Sequence, residues 1–323
     1  MRWCLVFLLI AGCAPHIEAP SIVWENEKAV GVLLDVPDTT CIYVEGSSYK
    51  VIGEWKDSRF TPAVPFERGQ TYRTSTGITF TIPVDGNRQV PLLMGSFPTC
   101  DTVPSNLLKI YLQFSEPMSE ARSAQFVQLY DDVTGDTIKN AFLDLQPELW
   151  NENGTVLTLW LDPGRIKQDL IPNKKLGVVM NENRSYRLVV AKGWRAKNGL
   201  ALEQNYKKIF VTTGRDVIKP DVSSWSVKTK GDTVIIDLQE SLDWSLIRST
   251  ISIKGIVPKS ITEVCENKVL FFPVSRGDYS LNIESRLEDL AGNNLNRLFE
   301  TDVTAPTSNN HPKAVYTISF HVN

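Results

Sequence analysis

Leu108, Ile110, Leu112 and Phe114 alternate with Lys109, Tyr111 and Gln113 ahead of Ser115-Glu116-Pro117-Met118, and 124 positions later the pattern returns. There Val234, Ile236 and Leu238 stand for Ile110, Leu112 and Phe114, with Glu240 for Glu116 and Leu242 for Met118. The same step carries Val127 and Leu129 onto Ile251 and Ile253; further on, a step of 93 carries Tyr186, Leu188 and Val190 onto Tyr279, Leu281 and Ile283, and Gly199 onto Gly292. The chain therefore holds two copies of one unit. The shorter second step places two insertions in the first copy, one before Val156 and a longer one between Trp160 and Tyr186.

Apolar and polar residues alternate in the strands of both copies, the mark of a sheet with one face buried and the other in water. One such sheet cannot hide its apolar face, so a second must pack on it, giving a β-sandwich of about 100 residues. Copy one is expected at 105–215 and copy two at 216–305. Ahead of them, residues 24–104 read as short strands (Val30 to Val36, Cys41 to Val44, Tyr49 to Trp55, Thr71 to Thr74, Ile78 to Ile82) broken at Pro37-Asp38, Glu45-Gly46, Pro62 to Pro65 and Asp85-Gly86-Asn87. The predicted fold class is all-β: tandem β-sandwiches preceded by a small β-rich N-terminal domain.

Phe114-Ser115-Glu116-Pro117-Met118, with Val127 to Tyr130, Val156 to Leu159, Tyr186 to Val190 and Asn198-Gly199-Leu200, resembles the bacterial Ig-like domain of the S-layer SbsA type. Copy two resembles it through Tyr279-Ser280-Leu281 and Leu287 to Leu295, while its Leu238-Gln239-Glu240-Ser241-Leu242 departs from the family's F-S-E-P-M pattern. The resemblance implies spacers and adhesive modules of cell-surface proteins, and it brings no catalytic residues.

At the N-terminus a short apolar run from Trp3 to Ile10 falls far below the ~20 residues a membrane-spanning helix needs. It leads into Leu9-Ile10-Ala11-Gly12-Cys13, which resembles the lipobox of bacterial lipoproteins. The resemblance implies a signal peptide over 1–12, lipid attachment at Cys13, a tether over 13–23, and anchorage in the bacterial cell envelope; Ala14 after the cysteine points to the outer membrane. Several acyl chains at ~0.8 kcal/mol per buried methylene hold durably where one does not. The alternative is a secreted protein with a chance cysteine.

Two further cysteines, Cys41 and Cys100, bracket the first folded region, and an exported compartment makes them a possible disulfide. Cys265 reads as a small strand hydrophobe. With a formal net charge of −3 and no basic stripe, nucleic acid is excluded as a partner.

Histidines fall only at positions 16, 311 and 321, outside the expected domains, so a Ser-His-Asp or Cys-His site or a His/Cys zinc site lacks its parts. No metal, cofactor or enzymatic activity is expected. Asp131 to Asp136 could be a calcium loop but reads better as a solvated turn, and Glu288-Asp289 likewise. Trp160, Trp194 and Trp244 could form sugar platforms or pack inward. The insertion from Asp162 to Arg184 could be a binding loop or a short helix capping the sandwich. Residues 306–323 form a tail whose Ala314 to Val322 alternates as a final strand, either completing a copy-two sheet or offering an edge to a partner. The expectation is a non-enzymatic lipid-anchored scaffold, spacer or adhesion module that meets the membrane and envelope proteins or glycans; the alternative is a glycan-binding module or a component of a carbohydrate-active enzyme.

Overall fold

Alternating strands of the kind just read dominate the computed structural model, which describes residues 19–86, 89–168, 170–231, 233–253, 260–262, 268–271, 275–300 and 312–322, with the side chains of 260–262 and 268–271 excepted. Cys13, His16, Cys265 and His311 lie outside the described residues. The chain separates into two compact units: residues up to 88 with Lys197–Leu200, and the remainder.

The first unit holds β1 (Ser21–Glu25), β2 (Lys28–Leu33), β3 (Ile42–Val44), β4 (Gly53–Lys56), β5 (Arg59–Pro62), β6 (Thr71–Thr74) and β7 (Thr79–Thr81). They form two sheets, ordered β1-β2-β5-β4 and β3-β6-β7. Two-residue turns at Asn26-Glu27 and Asp57-Ser58, all four residues at positive φ, join β1 to β2 and β4 to β5 with the twist a tight hairpin requires. Between the sheets lies a core of Val32, Ile42, Phe60, Phe66, Tyr72, Phe80 and Ile82. Two strands were not expected: β1 begins inside the expected tether, and β5 runs into Pro62, which sits at the strand's end where a missing N–H is tolerated.

The second unit continues with β8 (Leu93–Phe97), β9 (Thr102–Pro104), β10 (Lys109–Phe114), α1 (Ser123–Phe126), β11 (Val127–Asp131), β12 (Leu149–Trp150), β13 (Val156–Trp160), α2 (Pro163–Ile166), α3 (Ile171–Leu176), β14 (Ser185–Val190) and β15 (Tyr206–Thr213). These make a sandwich of β12-β13-β10-β8 on β11-β14-β15-β9. A second sandwich follows from β16 (Ser226–Lys230), β17 (Thr233–Asp237), α4 (Trp244–Thr250), β18 (Ile251–Ile253), β19 (Ser260–Thr262), β20 (Lys268–Phe271), β21 (Gly277–Glu284) and β22 (Val315–Val322), ordered β19-β20-β17-β16 on β18-β21-β22.

Apart from β9, which has no counterpart in copy two among the described residues, the two sandwiches repeat strand for strand. Val127 pairs with Val190 and Leu129 with Leu188; at the sequence offsets of 124 and 93 these become Ile251 with Ile283 and Ile253 with Leu281, which is the register of β18 on β21. Met118 bridges Ala196 and Leu242 bridges Asp289 at the same two offsets. Inward residues of β10 (Ile110, Leu112, Phe114) and of β17 (Val234, Ile236) are all buried.

Two boundaries move. Copy one begins at β8 rather than at residue 105, since β8 and β9 pair with β10 and β15. Copy two extends through β22, which pairs with β21 along its whole length, so the tail strand belongs to a copy-two sheet. Cys41 and Cys100, the possible disulfide, lie in different units, Cys41 in the first and Cys100 in the buried core of the second.

Candidate functional site

The polar face of β10 does not meet water. Because Ile110 and Leu112 point into copy one's core, Lys109 and Tyr111 point away from it, and there copy two begins. Asp243, 4% exposed, caps α4 by accepting from the Ser245 and Leu246 N–H groups at 3.0 and 2.9 Å. Its Oδ2 also accepts from Tyr111 Oη at 2.6 Å and from Lys109 Nζ at 3.1 Å. Lys109 donates further to Glu288 Oε2 at 2.7 Å, and its ammonium lies 5.2 Å from the Trp160 ring centroid. Trp244, the first residue of α4, stacks on Phe97 of β8 with centroids 4.1 Å apart.

Electrostatics follow from burial. Desolvation alone would lower the Lys109 pKa, but Asp243 and Glu288 outweigh it and raise it, so the ammonium stays charged. The Tyr111 hydroxyl is pushed up, first by burial and then by the Asp243 carboxylate it faces. The space among Pro98, Lys109, Tyr111, Asp243 and Trp244 has a volume of only about 10 Å³. That is room for one water at most, so this cluster resembles an acid-base site in composition but admits no substrate.

Beside it, Leu108 N–H donates to the Leu290 carbonyl at 2.9 Å, and Asn106 exchanges two bonds with the Asp216 backbone at 2.8 and 2.9 Å. Asp289 accepts from Ala291 N, Asn293 N and Asn293 Nδ2 at 2.8 to 2.9 Å. Burial nevertheless raises its pKa to about 7. Arg215 pairs with Glu300 and donates to the Ile166 carbonyl. The two sandwiches are thus joined by buried, hydrogen-bonded contacts rather than by a bare linker.

Copy one's insertions meet each other. In the longer one Ile166 of α2, with Val179 and Met180 after α3, joins the sandwich core, and α3 packs on α2. Arg165, 5% exposed, donates to the carbonyls of Lys139, Asn140, Gly177 and Val178. The insertion is a helical cap, and Arg165 ties it to the shorter insertion. Where that shorter segment passes the β11 edge, a cleft of about 300 Å³ opens over Val127, Leu129, Ala141 and Leu159, with Gln128, Lys139, Asn140 and Asp144 on its rim. Nothing in the sequence marks this cleft, because its floor belongs to the core pattern and its rim to ordinary turn residues.

Other candidates settle as structure. Asp131 Oδ1 accepts from Val133 and Thr134 N–H, and its other oxygen pairs with Arg184, which holds the carboxyl below its ordinary pKa; its oxygens are spent on the turn. Trp194 is fully buried, stacked on Phe126 and donating to the Ser119 carbonyl. Trp55, Trp150 and Trp225 each donate their indole N–H inward. Trp24 is 37% exposed, with the Arg68 guanidinium 4.3 Å from its ring. His321, exposed on β22, faces Asp278 at 2.8 Å.

No protein-family model matches the chain. No curated protein matches it either. Among solved structures it is similar to the MG0-NIE-MG1 region of Escherichia coli alpha-2-macroglobulin, at 13% identity over 61% of this chain and 66% of that one, with a TM-score of 0.26. It is also similar to the Bacteroides ovatus mixed-linkage glucan utilization locus protein SGBP-B, at 10% identity over 89% and 62%, TM-score 0.21. A third is the S-layer protein rSbsC, at 10% identity over 94% and 62%, TM-score 0.16. The chain spans less than two thirds of the length of each of these three. Its all-β fold rests on the strand pairing described above.

Proposed function

We propose that the protein is a non-enzymatic scaffold, spacer or adhesion module of the bacterial cell envelope, held to the outer membrane by lipid on Cys13. The observation that supports this most is the joint between the sandwiches. A spacer has to transmit orientation from one domain to the next, and a joint closed by Lys109, Tyr111, Asp243 and Glu288 does so, where a flexible linker would not. Spin labels placed in the two sandwiches should give one narrow distance distribution by double electron-electron resonance; a broad distribution would remove the spacer reading. Anchorage is tested separately by labelling cells with a palmitate analogue, where equal incorporation in wild type and Cys13→Ala would exclude the lipid.

For the glycan-binding reading, Trp194 and Trp225 are buried and offer no platform, while the 300 Å³ cleft in copy one supports it. A polysaccharide panel decides: saturable binding weakened by Asn140→Ala would favour that reading, and silence across the panel the spacer.

A further inference from the structure

Copy one and copy two differ at one flank in a way that leaves a strand position vacant among the described residues. In copy one the chain between β8 and β10 closes that flank. β9 lies parallel on β15, Val211 N–H donates to the Asp101 carbonyl at 2.8 Å, and Val103 is 3% exposed beside Phe210. Lys208 donates to the Pro98 carbonyl, and the Ser96 and Tyr206 hydroxyls meet at 3.0 Å.

In copy two β16 ends at Lys230 and β17 begins at Thr233, so the chain between them is far too short to supply a β9. β22 is the counterpart of β15, because Tyr279 pairs with Phe320 as Tyr186 pairs with Phe210. Among the described residues β22 pairs with β21 alone. Tyr316, Ile318 and Phe320 stand where Tyr206, Lys208 and Phe210 stand in copy one; Phe320 is half-buried, whereas Phe210 is 3% exposed.

The backbone of β22 is set for a neighbour. Ser285 N–H donates to the Ala314 carbonyl, which fixes the alternation so that Ser319 and His321 turn their N–H and C=O groups away from β21. Exposed edges are commonly protected by charge, proline or shortness. The edge strand β16 carries Lys228 and Lys230 and the edge strand β4 carries Glu54 and Lys56, but Val315–Val322 contains no lysine, arginine, acid or proline over eight residues.

We propose that the outward edge of β22 binds an extended strand of another polypeptide, laid parallel as β9 lies on β15, at His321 and Val322, the counterparts of Val211 and Thr212. The segment that fits is uncharged on its inner side and turns a β-branched apolar residue toward Phe320, as Val103 is turned toward Phe210. A second copy of this chain fits less well, since two-fold pairing of β22 with itself would be antiparallel, against the internal precedent. This inference is independent of lipid anchorage and of the spacer role.

Copy one supplies the probe: a fluorescent peptide of residues 98–106 carrying Cys100→Ser, titrated into the protein by anisotropy. Saturable binding is expected, weakened about tenfold or more by His321→Pro, which removes the outward N–H that corresponds to Val211 N–H and no backbone bond to β21. The same peptide with Val103→Asp should not bind, a control that leaves the protein untouched. Absence of saturable binding, or binding indifferent to both substitutions, overturns the proposal. A dimer by light scattering that His321→Pro dissociates overturns it in favour of a second copy.

Discussion

Lys109 and Asp243 meet at 3.1 Å across the joint between the two sandwiches, with side chains 11% and 4% exposed. Neither group could be buried there alone. Removing one partner of a buried pair leaves the other uncompensated, at a cost of about 3–5 kcal/mol. Lys109→Ala strands two carboxylates, Asp243 and Glu288, and is expected to lower the stability of the second unit by that amount in urea denaturation. Tyr111→Phe deletes one donor to Asp243 and should cost about 1–3 kcal/mol. Equal midpoints for wild type and Lys109→Ala would show that the pair contributes nothing to the joint.

Asp289 makes the joint respond to pH. Burial raises its carboxyl to about 7 from an ordinary 3.8, despite three N–H donors that favour the charged form. The folded protein therefore keeps a proton that the unfolded chain releases, and between about pH 4 and about pH 7 rising pH favours unfolding through this group. Asp289→Asn, which cannot titrate, should flatten that part of the stability curve relative to wild type. An unchanged slope would mean that other groups set it.

How much of this was legible in the sequence depends on what each residue faces. Alternation in Leu108 to Phe114 and its return at Val234 specified two sandwiches, and the offsets 124 and 93 specified which residues pair across β18 and β21, because a buried face constrains register. Copy one's first strands escaped notice: Leu93-Met94-Gly95-Ser96-Phe97 has a glycine at its centre and an exposed Met94, so its alternation is weak. Cys41 and Cys100 do not bracket a single domain, since the boundary lies before β8. The joint itself was invisible. Lys109 and Tyr111 occupy the polar phase of β10 and look like surface until a second domain covers them, and Asp243 looks like an ordinary helix cap.

Arg165 is legible only as one cation in a long insertion, yet it donates to four carbonyls from both copy-one insertions. Its replacement by Met keeps the aliphatic bulk and strands buried carbonyls, each unmet group costing about 1–3 kcal/mol if water cannot reach it. Reduced stability is expected, with faster amide exchange concentrated in 139–143 and 177–180. Lysine at this position should not rescue, because one ammonium cannot span the fork. Unaltered exchange in both segments would separate Arg165 from their ordering.

Gly292 combines two constraints that can be measured apart. Its φ is +83°, and a Cβ added there would lie 2.4 Å from Leu108 Cδ2, a side chain buried in copy one. Gly135 has a similar φ of +78° with nothing within 4 Å of an added Cβ. Gly135→Ala should therefore report backbone strain alone, about 1–2 kcal/mol. Gly292→Ala should cost that plus an overpacking penalty of about 1–3 kcal/mol at the joint. Combining Gly292→Ala with Leu108→Ala removes the clashing methyls, so the double variant should lose less stability than the two single changes added together. Strict additivity in the denaturation midpoints would mean that Gly292 is required only for its backbone conformation.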